Sequence, residues 1–558
     1  MDLNMLFENY DLLMDSPNST AEMCELILQL AVQGKLVEQD PDDEPASELL
    51  KRIKAEKEKL IAEGKLKKQK PLPPIDTNDA PYELPNGWVW VRNGTLFSLR
   101  KGKKPKNLSE QVIGLPYLNI AALDRDEITK YTDDVKCPQA TDEDILVVCD
   151  GSRSGLLLNG KNGVVGSTLA VIDSPSIIKS YLKILFAKAY QHLNSTMKGA
   201  AIPHLDTKKL LATVTGLPPE AEQKRIVAKV GQLMQLCDQL DACQEKSSQK
   251  YTSLNDAVLE ELLSSKTIDE FAEHWQFLCK NFDLIYNDPA HVNKLRRAIL
   301  QFAVQGKLAP QDPNDEPASE LLKHIKAEKE KLITEGKIKN QKTLPPITGD
   351  EIPYELPQGW EWMRLGEIGL LQRGKSKHRP RNDPKLFKNG KYCFVQTGDV
   401  SNAKNHQGLI TTHTSKYNEI GLSQSRMWPK GTLCITIAAN IAETGFLNFD
   451  ACFPDSVVGF TSLTGETTSQ YTYYFLNVSK AKLEDYAPST AQKNINLGIL
   501  DKLVFPLPPL AEQKRIVAKV DQLMHLCNEL ETRLNQSKKD SETLMQAVLQ
   551  EAFEIKQA

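Results

Sequence analysis

Apolar residues recur with a helical period in two long stretches of the chain. The first seam consists of Ile226, Val230, Leu233, Cys237 and Leu240. The second consists of Ile516, Val520, Leu523, Cys527, Leu530 and Leu534. Intervals of four and three residues are those of a heptad seam. The spacing therefore predicts two helices, over about 217–262 and 507–556. About 40 residues at about 1.5 Å each make a rod of about 60 Å.

A rod with one apolar seam needs a partner helix. A shorter amphipathic stretch at about 291–308 follows the first rod and is the obvious partner for it. The matching stretch, about 20–36, stands near the start of the chain. We therefore expect residues 1–36 to pack against 507–556. The chain would then be a circularly permuted two-fold whose ends lie close together.

The frame around these helices occurs twice. Residues 28–61 and 300–333 align without a gap at an offset of 272, with 29 of 34 positions identical. Residues 217–237 and 507–527 align at an offset of 290, with 18 of 21 identical. Repeats of this length mark duplicated structural units. Because the two offsets differ, the stretch between the repeats changed its length.

The two stretches between the repeats, the inserts, share little sequence. In both, short β-rich runs such as 144–149 and 433–437 alternate with glycine-rich turns, which indicates mixed α/β structure. The expected fold class is α+β: two mixed α/β domains, one for each insert, separated by two long antiparallel helical, coiled-coil regions. The predicted domains are 1–94 (helical region and linker), 95–216 (first insert), 217–366 (central helical region and linker), 367–506 (second insert) and 507–558 (last helix).

Composition narrows the class of protein. The hydrophobic content of 40% and charged content of 25% are typical of soluble globular proteins. The ten cysteines form no CxxC pair, which argues against structural zinc and a disulfide framework and predicts a reducing cytoplasm. No apolar run approaches the roughly 20 residues that span a bilayer, so no membrane contact is expected.

Each insert opens with a basic cluster. The first cluster contains Arg100, Lys101, Lys103, Lys104 and Lys106, and the second contains Arg373, Lys375, Lys377, Arg379 and Arg381. Glycine and proline predict loops here. DNA phosphates attract such charge, and arginine is the usual bidentate reader of guanine. A solvated loop is the alternative, but recurrence in both inserts favours DNA contact. Arg100 and Arg373, before the loop glycines, are our candidates for base reading.

Polar residues in turns are further candidates for DNA contact. They are Asn119 and Gln396 after β-rich runs, Arg153 in a glycine/serine turn, and Gln492 and Asn494 in the turn 489–496. Side-chain amides can read adenine edges. Each of these residues has the alternative role of capping a turn.

Two other patterns favour structural roles. Residues 369–376 fit the P-loop pattern, but the following basic segment with Pro380 cannot cleanly begin the required helix. The lysine-rich run 51–70 and its twin 323–342 pair lysine with glutamate at helical spacing, which predicts a solvated helix face.

The chain also lacks the glycine-rich loop and the (Asn/Asp)-Pro-Pro-(Tyr/Phe) motif of adenine methyltransferases. We expect no catalytic residue and no metal site.

The repeated segment Leu-Pro-Pro-x-Ala-Glu-Gln-Lys-Arg-Ile-Val, at 217 and 507, resembles the specificity (S) subunits of type I restriction–modification systems. Gln-Gly-Lys-Leu at 33–36 and 305–308, and Leu-Pro-x-Gly-Trp before each insert, support the resemblance, which covers essentially the whole chain. It implies that each insert reads one half of a split site in double-stranded DNA. It also implies that the helices set the spacing and bind two methyltransferase (M) subunits.

The resemblance places the chemistry in other chains. S-adenosylmethionine would belong to the M subunits, and ATP and Mg²⁺ to restriction/translocase (R) subunits, with no cofactor in this chain. Two alternatives stay open: a fused enzyme with its own methylase or nuclease activity, and a coiled-coil scaffold that binds no DNA. The missing motifs oppose the first, and the basic clusters oppose the second.

Overall fold

The structure is a computed structural model that describes residues 19–63, 66, 71–76, 80–195, 204–338, 340, 343–485 and 495–553. It divides into two compact units. The first comprises Met1–Ser247 with Lys538–Ala558, and the second comprises Ser248–Ser537. One boundary between the units falls inside each of the two long helices. Among the described residues, no helix is long and apolar enough to cross a membrane.

The first half of the chain contains seven α-helices and ten strands within the described residues. The helices are α1 (Ser19–Val32), α2 (Ala46–Ala62), α3 (Asn93–Leu96), α4 (Ile120–Asp124), α5 (Lys179–Ser195), α6 (Thr207–Ala212) and α7 (Glu220–Ser264). The strands are β1 (Val89–Arg92), β2 (Ser98–Lys101), β3 (Leu115–Leu118), β4 (Tyr131–Thr132), β5 (Gln139–Ala140), β6 (Ile145–Val148), β7 (Leu157–Asn159), β8 (Gly163–Val165), β9 (Leu169–Asp173) and β10 (Val214–Leu217).

The second half follows the same plan, again within the described residues. Its helices are α8 (Ile268–Lys280), α9 (Phe282–Ile285), α10 (Pro289–Val304), α11 (Ala318–Thr334), α12 (Leu365–Ile368), α13 (Thr397–Asn402), α14 (Glu419–Ser423), α15 (Glu466–Val478), α16 (Lys480–Asp485), α17 (Leu497–Lys502) and α18 (Leu510–Phe553). Its strands are β11 (Glu361–Arg364), β12 (Gly369–Arg373), β13 (Tyr392–Phe394), β14 (Leu409–Ile410), β15 (Ser415–Tyr417), β16 (Met427–Trp428), β17 (Leu433–Thr436), β18 (Thr444–Leu447), β19 (Ala451–Cys452), β20 (Val457–Ser462) and β21 (Val504–Leu507).

Helix α1 packs on the first half of α7, where Ile27 and Ala31 join Ile226 and Val230 in one buried cluster. We expected this stretch to pack against 507–556, and the structure adds the first half of α7 as a partner. A seam shows that a partner is needed but does not identify it. The end of α18 nevertheless belongs to the same unit. Burial, followed by the nearby carboxylate of Glu542, raises the pKa of Glu22. The chain ends themselves lie outside the described residues.

Helix α10 packs against the second half of α7, as predicted. Lys294 Nζ lies 2.5 Å from Asp256 Oδ1, and Lys307, just after α10, donates to the carbonyl of Leu263 at 2.5 Å. Both sets of residue numbers increase together, so these two segments run parallel. Arg296 also pairs with Glu531 of α18 at 2.7 Å. Helix α10 thus contacts both long helices.

The direction of α18 follows from the repeat. Helix α1 runs antiparallel to α7, because Thr20 hydrogen-bonds to Asp241 while Ile27 and Ala31, later in α1, pack with Ile226 and Val230, earlier in α7. The contact of Arg296 with Glu531 repeats this arrangement in the second frame. Where both long helices flank α10, they therefore run in opposite directions, as predicted.

Each insert is joined to its frame through a two-stranded neck. Strands β1 and β10 form four antiparallel residue pairs, and β11 and β21 form four more. The first insert contains sheets of order β2-β9-β6-β7 and β4-β3-β8-β5. The second contains β12-β20-β17-β18-β14 and β15-β13-β19-β16. The strand order is the same apart from the added β14. The inserts are mixed α/β, as predicted, and share one topology despite their different sequences.

Candidate nucleic-acid interface

Both basic clusters begin in strands, which corrects the prediction that they form loops throughout. Lys101 and Arg373 are the last residues of β2 and β12. The next residues, Gly102 and Gly374, each donate a backbone N–H to the neighbouring strand region at 2.9 Å. A Cβ on Gly102 would overlap the carbonyl oxygen of Gly166, so only glycine fits this close approach. The loops start at these glycines.

Arg100 is tied into its own domain. Its Nη2 lies 3.0 Å from Asp173 Oδ1, and its Nη1 donates to the carbonyl of Gln139 at 2.7 Å. Lys101, rather than Arg100, occupies the position that corresponds to Arg373. Arg100, our other candidate for base reading, stands one residue earlier in its strand.

The lysines of the two loops face solvent. Their side chains are exposed at Lys103, Lys104, Lys106, Lys375 and Lys377. Side chains elsewhere hold the backbone of these loops: Lys106 N donates to Asp134 Oδ2 at 3.3 Å, and Lys377 N donates to Gln424 Oε1 at 2.5 Å. Fixed loops that carry exposed ammonium groups suit contact with phosphates.

Three more of the predicted arginines bond within their own insert. Arg153 Nη1 lies 2.9 Å from Asp124 Oδ2. Arg381 Nη2 lies 2.5 Å from Asp455 Oδ1. Arg379 donates to the carbonyl of Ser376 at 2.6 Å. These contacts leave each guanidinium with further N–H groups, since arginine carries five.

Asn119 and Gln396 occupy the same position, directly before the short helix that follows β3 or β13. Asn119 Oδ1 accepts from Ala122 N at 2.8 Å and caps α4, which is the structural role considered above. Gln396 is exposed, and its backbone N–H donates to Asp399 Oδ2 at 2.8 Å. Gln492 and Asn494 lie outside the described residues.

A cleft of about 1280 Å³ opens in the second insert at the ends of strands from both sheets. It brings together three predicted residues, Arg373, Arg381 and Gln396. The rest of the lining is Asn382, Phe387, Phe394, Thr397, Thr414, Ser415, Ile437, Ala438, Ala439, Pro454, Asp455, Ser456 and Ile495. Aromatic and apolar walls with a few convergent polar groups are typical of a binding site.

The sequence pattern did not single out two residues of the first insert. Asp150 Oδ2 lies 3.4 Å from Lys101 Nζ, and Asp150 Oδ1 lies 2.6 Å from His204 Nδ1. Asp150 comes directly after the apolar run 145–149. A carboxylate at the end of a predicted strand is the signal by which the sequence could have shown it. Within the described residues, no group of three potential ligands could hold a metal ion.

Comparison with known proteins identifies the family. The model described as "Type I restriction modification DNA specificity domain" matches residues 85–248 and 357–537, more than half the chain. The Escherichia coli type I restriction enzyme EcoAI specificity subunit is 35% identical over 568 residues, covering 95% of this chain and 93% of that protein. The EcoEI specificity subunit, also from Escherichia coli, is 32% identical over 560 residues, with the same coverage.

Among solved structures, the HsdS subunit from Thermoanaerobacter tengcongensis matches with a TM-score of 0.41 and 19% identity, covering 86% of this chain and 99% of that one. The family assignment rests on the sequence matches, which span both inserts and their frames. The chain belongs to the specificity (S) subunits of type I restriction–modification systems.

Proposed function

We propose that this chain selects the DNA on which a type I complex acts and carries no chemistry of its own. Each insert reads one half of an asymmetric bipartite site in double-stranded DNA. The observation that carries the proposal is that the two inserts share one strand order but end equivalent strands in different residues, such as Lys101 in the first and Arg373 in the second. A shared scaffold with different reading groups suits two different half-sites.

The contacts between each insert's neck region and its helical frame are repeated in the two halves of the chain. Trp88 donates to Glu222 at 2.9 Å, and Trp360 donates to Glu512 at 2.8 Å. Tyr82 likewise donates to the carbonyl of Val32 at 2.9 Å, and Tyr354 donates to the carbonyl of Val304 at 2.8 Å. Repeated contacts that fix each neck on its long helix suit a protein in which the helices set the spacing of two half-sites.

Two nearly identical frames also suit two copies of one partner. Leu236 and Leu526 occupy equivalent positions on α7 and α18 and are 53% and 50% exposed. Exposed leucines in a repeated setting are suited to contact with a protein. The partners proposed are two M subunits that bring S-adenosylmethionine. R subunits that use ATP and Mg²⁺ would perform cleavage.

The test is exchange of one insert. Residues 367–506 are replaced by the corresponding insert of another S subunit, and the complete complex is used to modify DNA. Methylation-sensitive sequencing then gives the site. We expect one half of the site to change and the other to stay, with the unaltered chain as the control. A change in both halves would overturn independent reading by the inserts.

A second assay separates this proposal from a fused enzyme. The purified chain is incubated alone with S-adenosylmethionine and DNA, and in parallel with its M subunits. We expect methyl transfer in the second reaction only. Turnover by the chain alone would favour the fused enzyme.

A further inference from the structure

The two inserts carry different charges at one equivalent place. Lys101 and Arg373 end equivalent strands, each followed by the glycine described above. A second equivalence lies beside them. Leu205 N donates to the carbonyl of Cys149 at 2.8 Å, and Ile495 N donates to that of Ile437 at 2.9 Å. The residues that follow these carbonyls, Asp150 and Ala438, are therefore counterparts.

In the first insert the strand-end cation is held by a carboxylate. Lys101 Nζ lies 3.4 Å from Asp150 Oδ2, while His204 bonds to the other oxygen of that carboxylate at 2.6 Å. The side chain of Asp150 is only 16% exposed, whereas that of Lys101 is 57% exposed. A half-buried carboxylate of this kind attracts the ammonium more strongly than a freely solvated one.

In the second insert the carboxylate is missing. Ala438 stands in its place and lines the cleft with Arg373. Within the described part of the chain, Arg373 makes no ion pair or side-chain hydrogen bond. The other cation of the cleft, Arg381, is paired with Asp455 at 2.5 Å. Among the described residues that line the cleft, Arg373 thus supplies the unpaired guanidinium.

The chemistry of guanidinium favours a base as the ligand. Its planar N–H groups form a rigid fork that matches O6 and N7 of guanine in a bidentate pair, whereas a lysine ammonium has no such fixed fork. Gln396 lines the same cleft and offers an amide, the group that pairs with adenine. A phosphate is the competing ligand for Arg373, and salt dependence distinguishes it from a base.

We propose that the residue at the position of Asp150 and Ala438 decides whether the neighbouring strand-end cation reads a base. With alanine there, Arg373 reads a guanine edge in the second half-site. With aspartate there, Lys101 is paired with Asp150 within the first insert and reads no base. This inference rests on the proposed function, and it adds the chemical group that is recognised.

The test uses the complete complex with Arg373→Lys, Arg373→Ala and Ala438→Asp chains. Affinity is measured at several salt concentrations for the true site and all single-base variants. We expect Arg373→Lys to lose roughly 5- to 150-fold discrimination at one guanine while keeping the salt dependence. Ala438→Asp should lose the same discrimination, because the new carboxylate pairs with Arg373. Lys430→Ala, an exposed cation that does not line the cleft, serves as the control and should keep the base preference.

Discrimination in the first half-site shows, in the same molecules, that each variant is folded. Retained discrimination in Arg373→Lys, with only a smaller salt slope in Arg373→Ala, would assign Arg373 to a phosphate and overturn the inference. An unchanged base preference in Ala438→Asp would overturn the role of this position. If the wild-type complex showed no preference for a bipartite site, the proposed function itself would fail.

Discussion

Replacing Trp360 with phenylalanine should loosen the start of α18 and leave the start of α7 unchanged. The Trp360 indole N–H donates to Glu512 Oε2 at 2.8 Å, and Glu512 is only 1% exposed. Phenylalanine keeps an aromatic ring but removes the donor. The buried carboxylate then loses its hydrogen bond without gaining access to water.

The expected magnitude follows from the charge on the acceptor. A hydrogen bond to a charged group contributes about 1.5–3 kcal/mol. Since each 1.4 kcal/mol is a factor of ten, amide exchange in the first turns of α18 should accelerate roughly 10- to 150-fold. The smaller ring also packs less well, which acts in the same direction.

The effect should depend on pH. Burial raises the pKa of Glu512, while the Trp360 indole and then Arg515 lower it in opposition. A carboxyl whose folded-state pKa is raised favours the folded state when protonated, and this advantage is lost as pH rises through the raised pKa. Removing the indole raises that pKa further. The variant should therefore lose the most stability near neutral pH, where the carboxyl is ionised, and less stability in acid.

Hydrogen-exchange mass spectrometry of peptides 511–525 and 221–235 checks this prediction within one molecule. The second peptide is the control, because Trp88 still donates to Glu222 at 2.9 Å in that frame. Adding Glu512→Leu to the variant removes the unpaired carboxylate and should restore protection. Unchanged exchange in 511–525, or equal acceleration in both peptides, would refute the reasoning.

Three further predictions concern the frame and the first insert. Gly34→Ala should lower the free energy of unfolding by about 1–3 kcal/mol, because its φ is +70° and a Cβ would lie 2.5 Å from Pro85. Gly231→Ala, whose Cβ would meet nothing within 4 Å, should instead raise it by about 0.5–1 kcal/mol in the same melting assay, since alanine favours the helix. Arg100→Ala should lower the melting temperature but leave the salt dependence of DNA binding unchanged. In a variant with alanine at Lys101, Lys103 and Lys104, the slope of log K against log salt should fall by about 0.9 for each phosphate that is no longer neutralised. An unchanged slope would return this loop to a solvated role.

The long helices could be predicted because their signal is local and periodic. The spacing placed them at about 217–262 and 507–556, and the structure has them at Glu220–Ser264 and Leu510–Phe553. Their partners were harder to predict. Seam residues require an apolar neighbour, but several amphipathic helices satisfy that need equally.

The shared fold of the inserts was hidden from the sequence. Strands β6 and β17 are buried at all four positions, so neither alternates apolar and polar residues. Many strands have only two to four residues, and their pairing depends on partners far along the chain. Fully buried short strands carry no periodicity that reveals their neighbours.

Ion pairs within the basic clusters could not be predicted either. Arg100 meets Asp173, 73 residues later, and no local pattern connects them. The contact of Lys57, on helix α2, could not be predicted from the local sequence either. Helical spacing placed it on a solvated face, whereas it bonds to the carbonyl of Gly94 at 2.5 Å, and burial lowers its pKa to about 8.

Duplicating one insert tests most directly whether each insert reads a half-site by itself. Residues 367–506 are replaced by a second copy of 95–216, and the complex with M subunits is used to modify DNA. The necks are matched, since each forms four antiparallel residue pairs. We predict methylation at sites composed of two copies of the first half-site, with the original second half no longer required. Methylation at the original site, or at a site in which the first half had also changed, would contradict the account.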